Sequence, residues 1–509
     1  MLGMYVHMHW SYNHPYAART WSEADWRSYL QGLRSLGYDF LMVWPMLDSM
    51  PPEPNASDLA FLEKLGRIIR VAQDDFGMKV AIVSCPNTIG NEKSASHTFE
   101  RRPYFACERK LNPANRAEVE LLLAGRRRQF RPISHADAVV VIDSDPGGYI
   151  GSTNEEFVSL MAGQIGVFRE MNARAELIYW MLFGWEAYNR FWAEAAQWKP
   201  GQPHPRVQSG AGSFRETLSL VQARIPEPWW VFSNSNMPSH LEATDALGLG
   251  AKRGHFPYGL IEGEPTFPLT NCEPRRIAEA MKRHSAQTYP RGFMANSQTH
   301  ALQLPHTYLV AHHVVKGSDQ EPDLVAFADE VIPGRGVKIA MAWGAIGGGD
   351  AEVLRACAHE VRAEAGRPRS NETSASSVEP LERGKPHKAG PHSGLLLGSA
   401  DRFLTDLAMN LDVRAGMADL KAALDESRDA RVVLRRLLAD LRPYQDRLGF
   451  VDAYGGPLHT GLNQQVARLD DPKIAAVLEQ FNDWRNPAIR HGILPRLLNV
   501  LDEYCTSGE

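Results

Sequence analysis

A chain of 509 residues with a formal net charge of -5 and a sequence pI ≈ 6.4 exceeds one ordinary core and leaves room for an α/β barrel of roughly 250 to 400 residues plus a smaller domain. The acidic balance speaks against a binder of phosphate backbones, whose domains carry a strongly basic face. Cys85, Cys107, Cys272, Cys357 and Cys505 are odd in number, widely spaced and without a CxxC pair, so neither a disulfide framework nor a structural zinc site is indicated and a reducing compartment is expected.

The N-terminus enters a strand-like segment at once, without a basic n-region, an apolar h-region or a small-residue cleavage site. No segment approaches the roughly 18 uncharged apolar residues of a membrane span. The expectation is a cytoplasmic protein, or an exported one whose leader has been removed, with neither membrane nor nucleic acid as partner.

In chain order, apolar runs that suit strands fall at residues 4–9, 40–45, 79–84, 138–142, 177–183, 230–233, 258–261 and 293–296. Helical patterns lie between them. Ser22 caps a helix to Leu36, Ser57 caps one to Phe76, residues 115–130 and 154–172 repeat apolar side chains near the helical period, and 273–284 carries Pro274 in its first turn. This alternation predicts an α/β fold, a (β/α)8 TIM-type barrel over residues 1–365. Arg126, Arg127, Arg128 and Arg131 are read as the solvated end of the helix from Asn115, where cations complement the helix dipole.

Residues 366–393, dominated by Gly, Pro, Ser, Arg and Lys, read as a linker or mobile loop. Residues 394–509 carry Leu, Ala and Val at helical spacing and predict a helical domain of three to five helices for packing or oligomerisation, compatible with a homodimer.

The densest chemical signal is VVVIDSDPGGYIG at 139–151. A continuous β-branched run suits a strand buried on both faces, and Asp143 and Asp145 fall where that strand emerges, the end at which α/β proteins build their sites. One of them could instead cap the turn. In the first strand, alternation puts His7 and His9 on one side, either lining the site or packed as hydrogen-bonded core histidines. Beyond it, Tyr12, Asn13 and His14 fall on the first βα loop, where His14 suits an acid or base. Glu186, Glu262 and Glu264 add carboxylates near other strand ends, and Asn296, Gln298 and His300 form a polar trio suited to sugar hydroxyls.

Trp10, Trp44, Trp180, Trp185, Trp229 and Trp230 lie in or beside predicted strands, offering apolar faces to sugar rings or to the core. His135 and Asp137 precede the fourth strand, which places them at the stabilising end of a barrel unless the register differs.

The segments YVHMHWSYNHPY, DSDPGGYIG and NSQTHALQLP resemble TIM-barrel exo-glycosidases, most nearly the inverting exosialidases of glycoside hydrolase family 156. The resemblance implies single displacement at a terminal sialoside without a cofactor, with a histidine as acid and an aspartate as base. Carried onto this sequence, His14 or His135 would be the acid and Asp143 or Asp145 the base, set apart to admit water. No aspartate precedes Asp25, so Asn13 stands where a first-loop carboxylate would otherwise serve. A sialic acid carboxylate calls for arginine, and Arg101, Arg102 and Arg190 are the candidates. Substrate contacts are expected from His7, His9, Asn13, Arg101, Arg102, Trp185, Asn296, Gln298 and His300. Two alternatives compete: a metal-dependent amidohydrolase-type enzyme using His7 and His9 as ligands, and a carbohydrate-binding barrel without catalysis.

Overall fold

The computed structural model describes residues 1–9, 17–103, 106–144, 146–199, 202–203, 205–258, 274–297, 300–317, 320–365, 391–448, 461–481 and 493–507. The chain divides into two compact units, one formed by Met1–His9, Gly37–Glu262 and Glu279–Asn296, the other by Trp10–Leu36, Gly263–Ala278 and Ser297–Glu509.

The first unit is built on a closed barrel of eight parallel strands: β1 (Leu2–His7), β2 (Phe40–Trp44), β3 (Lys79–Ser84), β4 (Ala138–Ile142), β5 (Glu176–Trp180), β6 (Trp229–Ser233), β7 (Arg253–His255) and β8 (Phe293–Asn296). Strands pair in chain order and β8 closes on β1, with Tyr5 opposite Met42 on one side and Asn296 on the other. Together with its surrounding helices this is a (β/α)8 TIM-type fold, and the chain continues into a helical C-terminal region.

Side-chain alternation decides what the barrel presents to its interior. Tyr5, Met42, Trp44, Val140, Ile142 and Trp180 belong to one buried interior cluster, so the lumen is a packed core, as in other barrels of this kind. Because Ile142 points inward, Asp143 as the next residue points outward into the helical layer.

Six strands lie at or within two residues of the positions predicted, and β5 begins one residue and ends three residues before its predicted bounds. The larger exception is β7, expected at 258–261 but found at Arg253–His255; of the expected segment, 259–261 lie outside the described residues. Arg-Gly-His has no β-branched run to reveal it. Gly254 is required because an added Cβ would lie 2.7 Å from the Trp230 ring.

The helix expected from Ser57 is capped two residues earlier. Asn55 and Asp58 form a reciprocal capping box at the start of Ala56–Arg70, and Ser57 instead accepts the Phe99 N–H.

The arginine cluster splits. Arg127 and Arg128 pair with Glu170 and Glu53 at the surface, whereas Arg126 is fully buried. Its guanidinium donates to the carbonyls of Leu47, Cys85 and Thr88 and to the side chains of Gln129 and Gln164. That fork ties the segments leaving β2 and β3 together, a geometry lysine cannot reproduce.

The second unit is helical. Ser22 and Asp25 form the capping box of helix Glu23–Ser35, against which Leu395 packs so closely that a Cβ at Gly32 would meet it at 2.6 Å. The helices Ala351–Glu364 and Ala400–Asp425 lie side by side, with ion pairs from Arg355 to Asp419 and Arg362 to Asp412. Five α-helices follow residue 394 among the described residues: Ala400–Asp425, Arg431–Leu448, Gly461–Val466, Pro472–Phe481 and Ile493–Thr506. Asp406 is buried there between Arg402 and Arg447. Of the predicted linker, residues 366–390 lie outside the described residues. No helix among the described residues is long and apolar enough to cross a membrane, and Cys85, Cys107, Cys357 and Cys505 are free and buried.

Candidate functional site

β1 ends on His7, and His9 follows two residues on; both are almost completely enclosed at the carboxyl end of the barrel. Nδ1 of His9 lies 2.7 Å from both ring nitrogens of His7, and the His9 backbone N–H points at His7 Nδ1 at 3.1 Å. On its far side, His9 Nε2 lies 3.4 Å from Oδ2 of Asp48. The other oxygen of Asp48 accepts the Trp44 indole N–H at 3.0 Å. A carboxylate behind an imidazole fixes its tautomer and its orientation. The result is a line of polar contacts from Asp48 through His9 to His7.

Asp48 sits in a single 3-10 turn, Leu47–Ser49, entered through Met46 in the left-handed region at φ 58°. Arg126 holds the Leu47 carbonyl beside it. Burial of Asp48 is therefore matched by defined partners, as a buried carboxylate requires.

Aromatic rings surround the histidines. Trp44 meets His9 edge-on at 4.7 Å and His7 at 5.3 Å, Tyr5 lies 5.5 Å from His7, and Trp180, Phe256 and Tyr258 complete the wall at 4.8 to 5.5 Å from one another. Of these rings only Tyr258 is more than a few per cent exposed, and flat apolar faces of this kind suit a ring-shaped polyol where they are open to one. Burial and the nearby Asp48 push up the thiol of Cys85, just after β3, where the thiolate is scarce.

Of the residues singled out from the sequence, the structure brings His7 and His9 together and adds Asp48. Asn13, His14, Asp145 and Gln298 lie outside the described residues, as do Trp10, Glu262 and Glu264. Asp143 is fully buried behind the barrel wall, where it accepts the Tyr179 hydroxyl at 2.9 Å, the Ser144 hydroxyl at 3.0 Å and the backbone N–H groups of Leu182 and Phe183. It shapes the turn after β5. The outward step of the β4 pleat, hidden in a run apolar on both faces, put it there.

His135 lies before β4, at the opposite end of the barrel, and contacts the Gly66 carbonyl at 2.6 Å; burial lowers its pKa. Asp137 accepts the Val80 N–H and the Gln73 amide. This geometry makes both of them structural. Arg102 is buried and forks onto both oxygens of Asp58, at 2.6 and 3.1 Å, so it is committed within the fold, whereas Arg101 is exposed. Trp185 is fully buried, stacked on Phe157 at 5.1 Å with its N–H on Ser152. Asn296 ends β8 and is buried. His300, in the helical unit, contacts the Tyr29 hydroxyl at 2.8 Å and packs on Trp21. Trp44 and Trp180 face the lumen mouth; Trp230 lies deeper, donating to Glu176, and Trp229 lies under Lys252.

Asp48 is the participant that sequence reasoning missed. Its only signal is position: a carboxylate four residues after the tryptophan that ends β2, in WPMLDSM.

Burial raises the Asp143 pKa from 3.8 to about 6 despite its hydrogen bonds. A carboxyl that binds its proton more tightly folded than unfolded contributes stability fully below about pH 4 and loses it as pH rises through about 6, a swing of about 3 kcal/mol. Asp143→Asn should remove this swing, seen as a flatter dependence of the urea midpoint on pH between 4 and 7. An unchanged pH dependence would contradict the assignment.

The fold and this mouth define a (β/α)8 barrel with a histidine-centred candidate site at the carboxyl ends of its strands. No known protein family matches the chain, and no curated protein matches it significantly.

Proposed function

We propose that the protein is an exo-acting glycoside hydrolase that releases terminal sialic acid by single displacement. The observation that carries the hydrolase reading is the contact of Asp48, His9 and His7 among aromatic side chains at the carboxyl end of the barrel. Such a pair of imidazoles can protonate a leaving oxygen, while Trp44, Trp180 and Tyr258 suit the apolar faces of a sugar. The choice of sialic acid is supported by the likeness of YVHMHWSYNHPY, DSDPGGYIG and NSQTHALQLP to the inverting exosialidases.

In this reading His7 delivers the proton to the glycosidic oxygen, and His9 and Asp48 hold it in place. A carboxylate set apart from it activates water on the opposite face of the sugar, as inversion requires. Asp145 is the residue we assign to that task, since Asp143 is committed to the turn after β5. Arg101 and Arg190 are the arginines we assign to the substrate carboxylate.

A panel of chromogenic glycosides tests the proposal. Turnover of an α-sialoside, with the neutral hexosides left intact, is expected; release of another sugar in preference would redirect the reading to a different glycosidase.

A further inference from the structure

In the helical unit, the helix Gly336–Gly348 turns one face inward and leaves an apolar face to solvent. Ile339, Ala342, Trp343 and Ile346 are buried, and the Trp343 ring lies 6.0 Å from Phe327 of the preceding helix, Leu324–Val331. On the outer side Val337 and Met341 are 59 and 61% exposed, and Gly344, Gly347 and Gly348 are exposed with them. At about 100° per residue, Val337, Met341, Gly344 and Gly348 fall within about 60° of one another around the axis and form one stripe. The only charged side chain of the helix, Lys338, is held by Glu360 and Glu364 of the next helix, Ala351–Glu364.

No neighbour among the described residues calls for the outer glycines. A Cβ at Gly344, Gly347 or Gly348 would meet nothing within 4 Å, whereas one at Gly336 would lie 2.5 Å from the Val325 carbonyl. Glycine weakens a helix relative to alanine, so these open positions are a cost to the isolated chain. What they allow is the close approach of another molecule.

We propose that this face pairs two copies of the chain, the two helices crossing antiparallel about a two-fold axis level with the Ala342–Trp343 peptide. That axis sets Met341 of each copy against Gly344 of the partner subunit and Val337 against Gly348 of the partner subunit, so each large side chain of the stripe meets a glycine. A parallel pairing would instead set valine on valine and leave glycine facing glycine. A patch that complements itself under a two-fold closes at the dimer and does not propagate. The same crossing brings the helix end flanked by Val325, 44% exposed, against the end flanked by Val353, 49% exposed. The stripe and these flanks bury roughly 500 Å² per copy, near the lower bound for a specific pair, so the dimer is reversible with Kd on the order of 10 µM.

Sedimentation velocity of the full chain between about 1 and 200 µM is expected to show monomer passing to dimer around that Kd. Val337→Glu sets an unpaired carboxylate in the stripe and should weaken the dimer at least about tenfold. Adding Gly348→Lys to Val337→Glu should restore most of the loss in a salt-sensitive way, because these positions lie about 16 Å apart within one helix and meet only between copies. Both positions are exposed, and circular dichroism checks that each variant stays folded. A wild type that remains monomeric throughout would leave the face to another partner and overturn the dimer. A dimer indifferent to Val337→Glu would put the interface elsewhere and overturn it as well, and a dimer lost in Val337→Glu without recovery in the double variant would overturn the antiparallel crossing.

Discussion

Replacing His7 with Asn is expected to lower kcat/KM for a sialoside by about 10²- to 10⁴-fold, the range that positioned acid–base groups supply. Asparagine keeps a polar side chain near the ring position but cannot donate and recover a proton at neutral pH. His9→Asn and Asp48→Asn reach the substrate only through His7, so each should also lower kcat. Their double variant with His7→Asn should be no slower than His7→Asn alone, the non-additivity of residues that act as a unit. Independent, multiplying losses would show that Asp48 and His9 act by some route other than this chain. Circular dichroism of each variant separates loss of chemistry from loss of fold.

Arg126→Met should cost about 3–5 kcal/mol of stability, because it removes five buried hydrogen bonds joining the neighbouring segments after β2 and β3 and leaves the Leu47 and Cys85 carbonyls to the Gln129 and Gln164 amides alone. The carbonyls of Leu47, Cys85 and Thr88 and the amides of Gln129 and Gln164 all turn toward this one guanidinium. Arg126→Lys should recover little, since an ammonium offers three donors from a point where the guanidinium offers a fixed fork. The urea midpoint measures the loss. Hydrogen exchange should show residues 47–49 and 85–88 opening first; a loss below about 1 kcal/mol would remove Arg126 as the organiser of the mouth.

Most of the barrel was legible in the sequence because parallel strands are buried on both faces and so read as short continuous apolar runs, FLMVW and AVVVI among them. β7 was not, because Arg253–Gly254–His255 is chosen for close packing against Trp230 rather than for strand propensity. The same continuity that revealed β4 concealed its facing: with every residue apolar, nothing marks Ile142 as inward and Asp143 as outward. For β1 the alternation of His7 and His9 with Val6 and Met8 did carry that information, and the two rings do share a side.

Charge was the least legible property. Arg102 and Arg126 look like surface cations in sequence, yet each is buried by partners distant along the chain, Asp58 in one case and the segments after β2 and β3 in the other. Asp48 was missed for the converse reason. Its importance comes from His9, 39 residues earlier, and no local pattern announces it.

The central claim, hydrolysis of a terminal sialoside by single displacement from this barrel mouth, is tested most directly by following the anomeric signals of the released sugar by proton NMR from the first seconds of turnover. The account predicts that α-sialoside yields β-sialic acid first, with the α anomer growing in only through mutarotation. Release of the α anomer first, or of no sialic acid at all, would contradict it.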